Sequence, residues 1–206
     1  PIRMRIRNIP DPITIRGPWE LRFPEGWGAP DSVTLDELIS WTEHEDEGVK
    51  YFSGTATYIK EFEVPESALG NNTVVSLDLG SVKHLAELTV NGTDFGVLWK
   101  WPYRADVTDA LHSGTNRMTV KVTNLWPNRL IGDRRQFPDV AKWQMRRRGG
   151  KLKELPRWLT EGERGATKRH TFTTYRHYTK DSSLLDSGLL GPVTLSVEQV
   201  VELPPR

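Results

Sequence analysis

Three groups of side chains in this 206-residue sequence have the types and spacing to act on a ligand. Trp99, Trp101 and Tyr103 recur at every second position, with Lys100 and Arg104 beside them. The apolar C–H face of a pyranose stacks on such rings while its hydroxyls seek polar neighbours, so this set has the makings of a sugar platform. The same spacing puts three rings on one side of a strand, which is also how a core or a docking face is built. Trp126, Asn128, Arg129 and Asp133 offer a stacking surface, an amide, a bidentate donor and a carboxylate. Alternatively they form a loop pinned by its own Arg129–Asp133 pair over a buried Trp126. The third group is His177 beside Tyr175, Tyr178 and Asp181, which reads as a polar pocket or as a hydrogen-bonded core or rim histidine.

Other chemistries find little support. His44, His84, His112, His170 and His177 are scattered, and no His-x-x-x-His spacing suggests a transition-metal site. There is no Gly-x-Ser-x-Gly nucleophile elbow. Cysteine is absent, which excludes disulfides and thiol catalysis. The 28 basic and 27 acidic side chains nearly cancel, so no global field draws nucleic acid or anionic lipid. Arg146, Arg147 and Arg148, followed by Lys151 and Lys153, read as a solvated loop neutralised by Glu154, Glu161 and Glu163. No apolar run approaches the roughly 20 residues that span a bilayer. The chain opens at Pro1 with neither an initiator Met nor a targeting pattern, and reads as a piece of something longer.

The elements that must position these groups are strands. Trp19, Leu21 and Phe23 share one parity, as do Ala56, Tyr58, Phe62 and Val64, then Val75, Leu77 and Leu79. Ala86, Leu88 and Val90 lead into Asn91-Gly92, a dipeptide suited to a type I′ turn because both residues tolerate positive φ. Residues 106–111 suggest a short helical turn with Thr108 as its N-cap. Met118, Val120 and Val122 mark a further half-buried strand, and Val193, Leu195 and Val197 the last, entered through a turn at residues 188–192. Residues 32–38 fit a strand or a helical turn equally, and residues 171–178 resume a Thr-rich β pattern. Between residues 124 and 170 periodicity fails, although Trp126, Trp143 and Trp158 lie there, so the stretch reads as an ordered insertion. The expectation is an all-β fold, an antiparallel β-sandwich or jelly roll carrying that long insertion.

Val90-Asn91-Gly92, Gly96, Pro102-Tyr103, Asp106-Val107-Thr108, Gly114, Asn116 and Val122-Thr123-Asn124 fall in the order and spacing of a known module. The pattern resembles the sugar-binding jelly-roll domain of family 2 glycoside hydrolases and implies a galactose-binding-like fold. Residues 48–58, 124–133, 171–175 and 180–192 are similar to the C-terminal β-sandwich of glycoside hydrolase family 106, which comprises large bacterial α-L-rhamnosidases. The resemblance runs from about Ile13 to Val197 and lapses around residues 144–150.

The resemblance implies a lead-in at residues 1–12, one sandwich domain at 13–200 with its insertion at 124–170, and a tail at 201–206. It implies that the catalytic carboxylates lie in a separate domain, so this chain alone is expected not to be an enzyme. The expected function is that of an accessory module of a secreted rhamnosidase-like hydrolase, extracellular or periplasmic. It would support the catalytic domain and bind plant or algal polysaccharide through Trp99, Trp101, Tyr103, Arg104, Trp126, Asn128, Arg129, Asp133 or His177. The alternative is a purely structural domain whose aromatics face the catalytic domain. Nucleic acid and membrane are not expected partners. No cofactor is required, although such folds accommodate a structural calcium ion held by carboxylates and backbone carbonyls.

Overall fold

Alternating apolar and polar side chains become two facing antiparallel sheets in the computed structural model, which describes residues 11–70, 72–137, 142–146, 149–155, 160–161 and 168–200. The strands in chain order are β1 (Ile13–Ile15), β2 (Trp19–Arg22), β3 (Ser32–Leu35), β4 (Thr55–Val64), β5 (Thr73–Asp78), β6 (Ser81–Lys83), β7 (Leu85–Val90), β8 (Thr93–Leu98), β9 (Arg104–Asp106) and β10 (Gly114–Thr123). They continue as β11 (Trp143–Arg146), β12 (Gly149–Leu152), β13 (Tyr175–Arg176), β14 (Gly188–Gly191) and β15 (Val193–Gln199). One sheet has the order β3-β2-β4-β10-β7-β8 and the other β1-β15-β5-β9. β14 pairs with β6, and β11, β12 and β13 make a separate three-stranded sheet.

The core lies between the two large sheets and is built from the parities legible in the sequence. Leu21, Ala56, Tyr58, Leu88, Met118, Val120 and Val122 from one sheet meet Val75, Leu77, Val193 and Leu195 from the other, all buried. Each such aliphatic side chain removed from water contributes about 1.5–3 kcal/mol, which makes the sandwich the dominant stabilising unit. The hairpin between β7 and β8 turns on Asn91 and Gly92 at φ 48° and 85°, as a type I′ turn requires. Asn91 is held further, its Nδ2 donating to Ala110 O at 2.8 Å and to Asn116 Oδ1 at 2.7 Å.

Several elements differ from expectation. Of residues 32–38, only Ser32–Leu35 form a strand, β3. The turn after β9 is a single 3-10 turn, Thr108–Ala110, without a side-chain cap. Asp106 supplies the local bonds instead, accepting from Thr108 N–H at 3.1 Å and Thr108 Oγ1–H at 2.6 Å. Before β4, which starts at Thr55, Glu47–Lys50 form a helical turn (α1). Asp46 caps that turn by accepting from the N–H groups of Gly48 and Val49 at 2.7 and 3.2 Å.

Residues 188–192, read as a turn, contain β14. Described parts of the stretch after Thr123 are regular, since Pro127–Gln136 form a helix, α2, and β11 pairs antiparallel with β12. The β pattern at 171–178 shrinks to the two residues of β13, which join that hairpin rather than the sandwich. The lead-in up to residue 10, the tail at 201–206, and Arg147, Arg148, Trp158 and Glu163 lie outside the described residues.

Candidate functional site

Register places the exposed aromatics. Thr123 of β10 lies opposite both Thr55 of β4 and Leu85 of β7, Ala86 opposite Leu98 of β8, and Arg22 of β2 opposite Thr57. The ends of β2, β8 and β10 therefore lie at one edge of the six-stranded sheet. Each of these strands runs into a segment that carries tryptophan. The loop after β2 holds Trp27, the segment after β10 leads to Trp126, and the one after β8 begins with Trp99 and reaches Trp101. All four indoles are accessible, with relative exposures of 38% for Trp27, 52% for Trp126, 65% for Trp99 and 80% for Trp101. Adjacent strands stand about 4.8 Å apart, so the segments after β10 and β8 leave the sheet roughly 10 Å from each other.

Trp27 and Trp126 form the inner part of this rim. Their ring centroids are 5.8 Å apart at an interplanar angle of 54°, so each ring steadies the other while both keep a solvent face. Trp126 is fixed by its position at the mouth of α2. Pro127 takes the first helical position, where its missing N–H costs nothing, and Leu130 N–H donates to Trp126 O at 3.2 Å. Trp27 sits in a Pro- and Gly-rich loop pressed against His170. A Cβ on Gly28, whose φ is +85°, would lie 2.7 Å from His170 Nε2, so only glycine allows this approach. Burial of the His170 ring, then the charge of Arg129, lowers its pKa below the ordinary 6.5, with Asp133 acting in opposition.

Asn128, Arg129 and Asp133 are not on this surface. They are buried on the inner side of α2 and tie it to the sandwich. Asn128 Nδ2 donates to Leu185 O at 2.7 Å and to Ser187 Oγ at 2.8 Å, and Asn128 Oδ1 accepts from Leu185 N–H at 2.8 Å. Arg129 Nε lies 3.1 Å from Asp133 Oδ1, and Arg129 Nη2 donates to Gln136 Oε1 at 2.6 Å. Asp133 Oδ2 accepts from Thr171 N–H at 2.7 Å and Thr171 Oγ1–H at 2.6 Å. Burial lowers the pKa of Arg129, and Asp133 is the first of the groups that oppose this. The self-pinning reading of this motif holds for the Arg129–Asp133 pair and fails for Trp126, which is exposed.

The first aromatic set also divides. No strand covers residues 99–103, so the three rings do not share a strand face. Trp99 and Trp101 project into solvent, and Lys100 Nζ stands 5.4 Å from the Trp99 ring centroid. Tyr103 instead packs on the core, its hydroxyl donating to His84 O at 2.8 Å. Arg104 is engaged by Asp78 and Glu198 of the four-stranded sheet at 3.7 and 3.6 Å. His177 is exposed beside β13, away from these segments in sequence, its ring 4.5 Å from that of Tyr175.

Trp27 and His170 are not among the candidate residues that the sequence singles out. A signal for Trp27 existed, since an indole amid turn residues has no strand parity to bury it. For His170 there was none, because its neighbours come from distant loops. Among the described residues no three His, Cys, Asp or Glu side chains group to hold a metal ion. No described helix is long and apolar enough to cross a membrane.

The chain is an antiparallel sandwich with accessible tryptophans along one sheet edge. In comparison with known proteins, residues 9–146 match the family described as glycosyl hydrolases family 2, sugar binding domain, and the chain belongs to that family. It is 45% identical over 192 residues to a protein of Formosa agariphila named "Putative beta-glucuronidase", covering 93% of this chain and 16% of that one. The rhamnosidase from Novosphingobium sp. PP1Y aligns with a TM-score of 0.73 and 34% identity, over 96% of this chain and 16% of its own. The β-glucuronidase of Bifidobacterium dentium, at 21% identity and a TM-score of 0.60 over 95% of this chain and 31% of its own, shares the fold. The chain thus spans about a sixth of the length of the first two relatives.

Proposed function

We propose that this chain is the accessory domain of a large rhamnosidase-like glycoside hydrolase and that its tryptophan rim holds polysaccharide beside the catalytic part of that protein. The observation that carries the proposal is the placement of Trp27, Trp126, Trp99 and Trp101 at one edge of the sheet, all accessible to solvent. The 34% identity to a rhamnosidase across nearly the whole chain supports the choice of parent. The similarity to the C-terminal sandwich of family 106 enzymes favours the same choice. In this reading the parent works outside the cytoplasm, where polymeric carbohydrate is met.

Sugar rings would stack on Trp27, Trp126 and Trp99, with His170 and Lys100 as the nearest hydrogen-bonding groups. Asn128, Arg129 and Tyr103 would take no direct part. Such a site is open and shallow, so affinity would be weak and no conformational change would be needed. Calorimetry of the chain with rhamnose-containing and uronate-containing oligosaccharides tests this. Heat should be released with at least one of them and disappear in W27A/W126A, whose melting temperature should fall by only a few degrees. Absence of heat with any glycan would leave the rim as the contact to the catalytic part, the second reading, which the same exposed apolar rings favour.

A further inference from the structure

We infer that one face of the β11-β12-β13 sheet is a second binding surface, and that it takes a polyanionic glycan whose acid groups are uronate carboxylates or sulfate esters. Near-neutral overall charge conceals a strong segregation. Residues 124–170 carry 13 basic and 5 acidic side chains, which leaves 15 basic and 22 acidic for the rest of the chain. The insertion is thus a cationic block attached to an anionic sandwich, and such asymmetry marks a surface for a charged partner.

Part of that block is not the solvated loop its sequence suggests, since Lys151 lies within strand β12 and Lys153 continues from it. Lys151 lies opposite Gln144 of β11 on one side and Tyr175 of β13 on the other. Lys153 N–H donates to Lys142 O at 2.8 Å, which sets those two lysines side by side. Successive side chains alternate across a sheet, so Lys142, Gln144, Lys151, Lys153, Tyr175 and His177 share one face. Lys142, Gln144, Lys151, Lys153 and His177 are exposed, and the half-buried Tyr175 ring lies 4.5 Å from His177.

Lys142 pairs with Glu154, whereas Lys151 and Lys153 have no carboxylate partner among the described residues. The strand positions that carry Lys142, Lys151 and Lys153 lie roughly 5–7 Å apart, the spacing of neighbouring and alternate positions in a sheet, which suits acid groups borne on successive sugar rings. The aromatic pair supplies the stacking surface that a sugar needs and a simple ion exchanger lacks. A sugar-binding family makes a glycan the natural carrier of the complementary charge. The anionic sandwich beside the block disfavours a long duplex nucleic acid. This surface does not depend on the tryptophan rim.

Affinity electrophoresis of the chain through gels containing polygalacturonate, dextran sulfate or uncharged dextran tests the inference. Retardation by either polyanion and not by dextran is expected, and whichever retards more strongly identifies the acid group. K151Q/K153Q should weaken the interaction about fivefold, the size expected for two exposed charge contacts, at unchanged melting temperature. Raised salt should weaken it as well. W27A/W126A should retain it, which separates this surface from the rim. Equal retardation by dextran, no retardation by either polyanion, undiminished retardation of K151Q/K153Q, or equal retention by double-stranded DNA would each overturn it.

Discussion

Arg129 and Asp133 stand one helical turn apart and both are buried, so each depends on the other for its charge. Removing the carboxylate in D133A leaves a buried guanidinium without its partner and also orphans Thr171 N–H. The expected cost is about 3–5 kcal/mol, read as a lowered urea midpoint. W126A, three residues beyond the sheet, should cost only about 0.5–1 kcal/mol, because its ring is half in solvent. The neighbouring motif residues would thus separate cleanly into one that folds the protein and one that its stability hardly needs.

His170 gives a pH dependence with a definite sign. Its lowered pKa means that the folded state prefers the neutral ring and that the unfolded chain binds the proton more readily. Stability is therefore fully present above the unfolded value near 6.5 and declines as pH falls through the folded value. The melting temperature should fall on acidification, and H170Q should flatten part of that fall. The effect is small because much of the residue remains in solvent.

At the level of elements, strand β14 shows how tightly a turn-like sequence can be specified. Gly188 has φ +97°, and a Cβ there would lie 2.5 Å from Trp41 Nε1 and 2.7 Å from Tyr58 Oη. Trp41 Nε1–H donates to Tyr58 Oη at 2.6 Å, and Leu189 N–H donates to the same oxygen at 3.0 Å. Burial pushes the Tyr58 phenol well above its usual pKa, so it stays protonated. G188A combines a strained backbone with a steric clash and should destabilise by about 2–4 kcal/mol. Y58F leaves two buried donors without their acceptor and should cost about 1–3 kcal/mol, both variants being measured by chemical denaturation. Neither change touches the rim, so ligand binding by the folded fraction should be preserved.

Helix α2 was illegible for a related reason. Its buried side is made of Asn128, Arg129, Ile131, Gly132 and Asp133, which gives no apolar stripe at helical spacing. The sandwich strands, in contrast, bury one clean parity each, and alternation alone revealed them. The six-stranded sheet owes its register to long cross-strand pairing, with β10 matched to β4 over ten positions.

For the molecule as a whole, the sequence by itself determined the sandwich, the Asn91-Gly92 hairpin and the membership of a sugar-binding family. Each of these rests on local periodicity, turn chemistry or an ordered motif, which a linear pattern carries. Tertiary structure decided which candidate residues face solvent. Tyr103 was drawn inward because its hydroxyl could reach His84 O, and Arg104 was turned to Asp78 and Glu198. Asn128, Arg129 and Asp133 were claimed by segments 38 to 76 residues away in sequence, through Thr171, Leu185, Ser187 and Ser53. Trp27 and Trp126 met across 99 positions. Residue type cannot reveal such pairings, because a buried polar network and an open binding site use the same side chains. They differ only in what the fold brings against them.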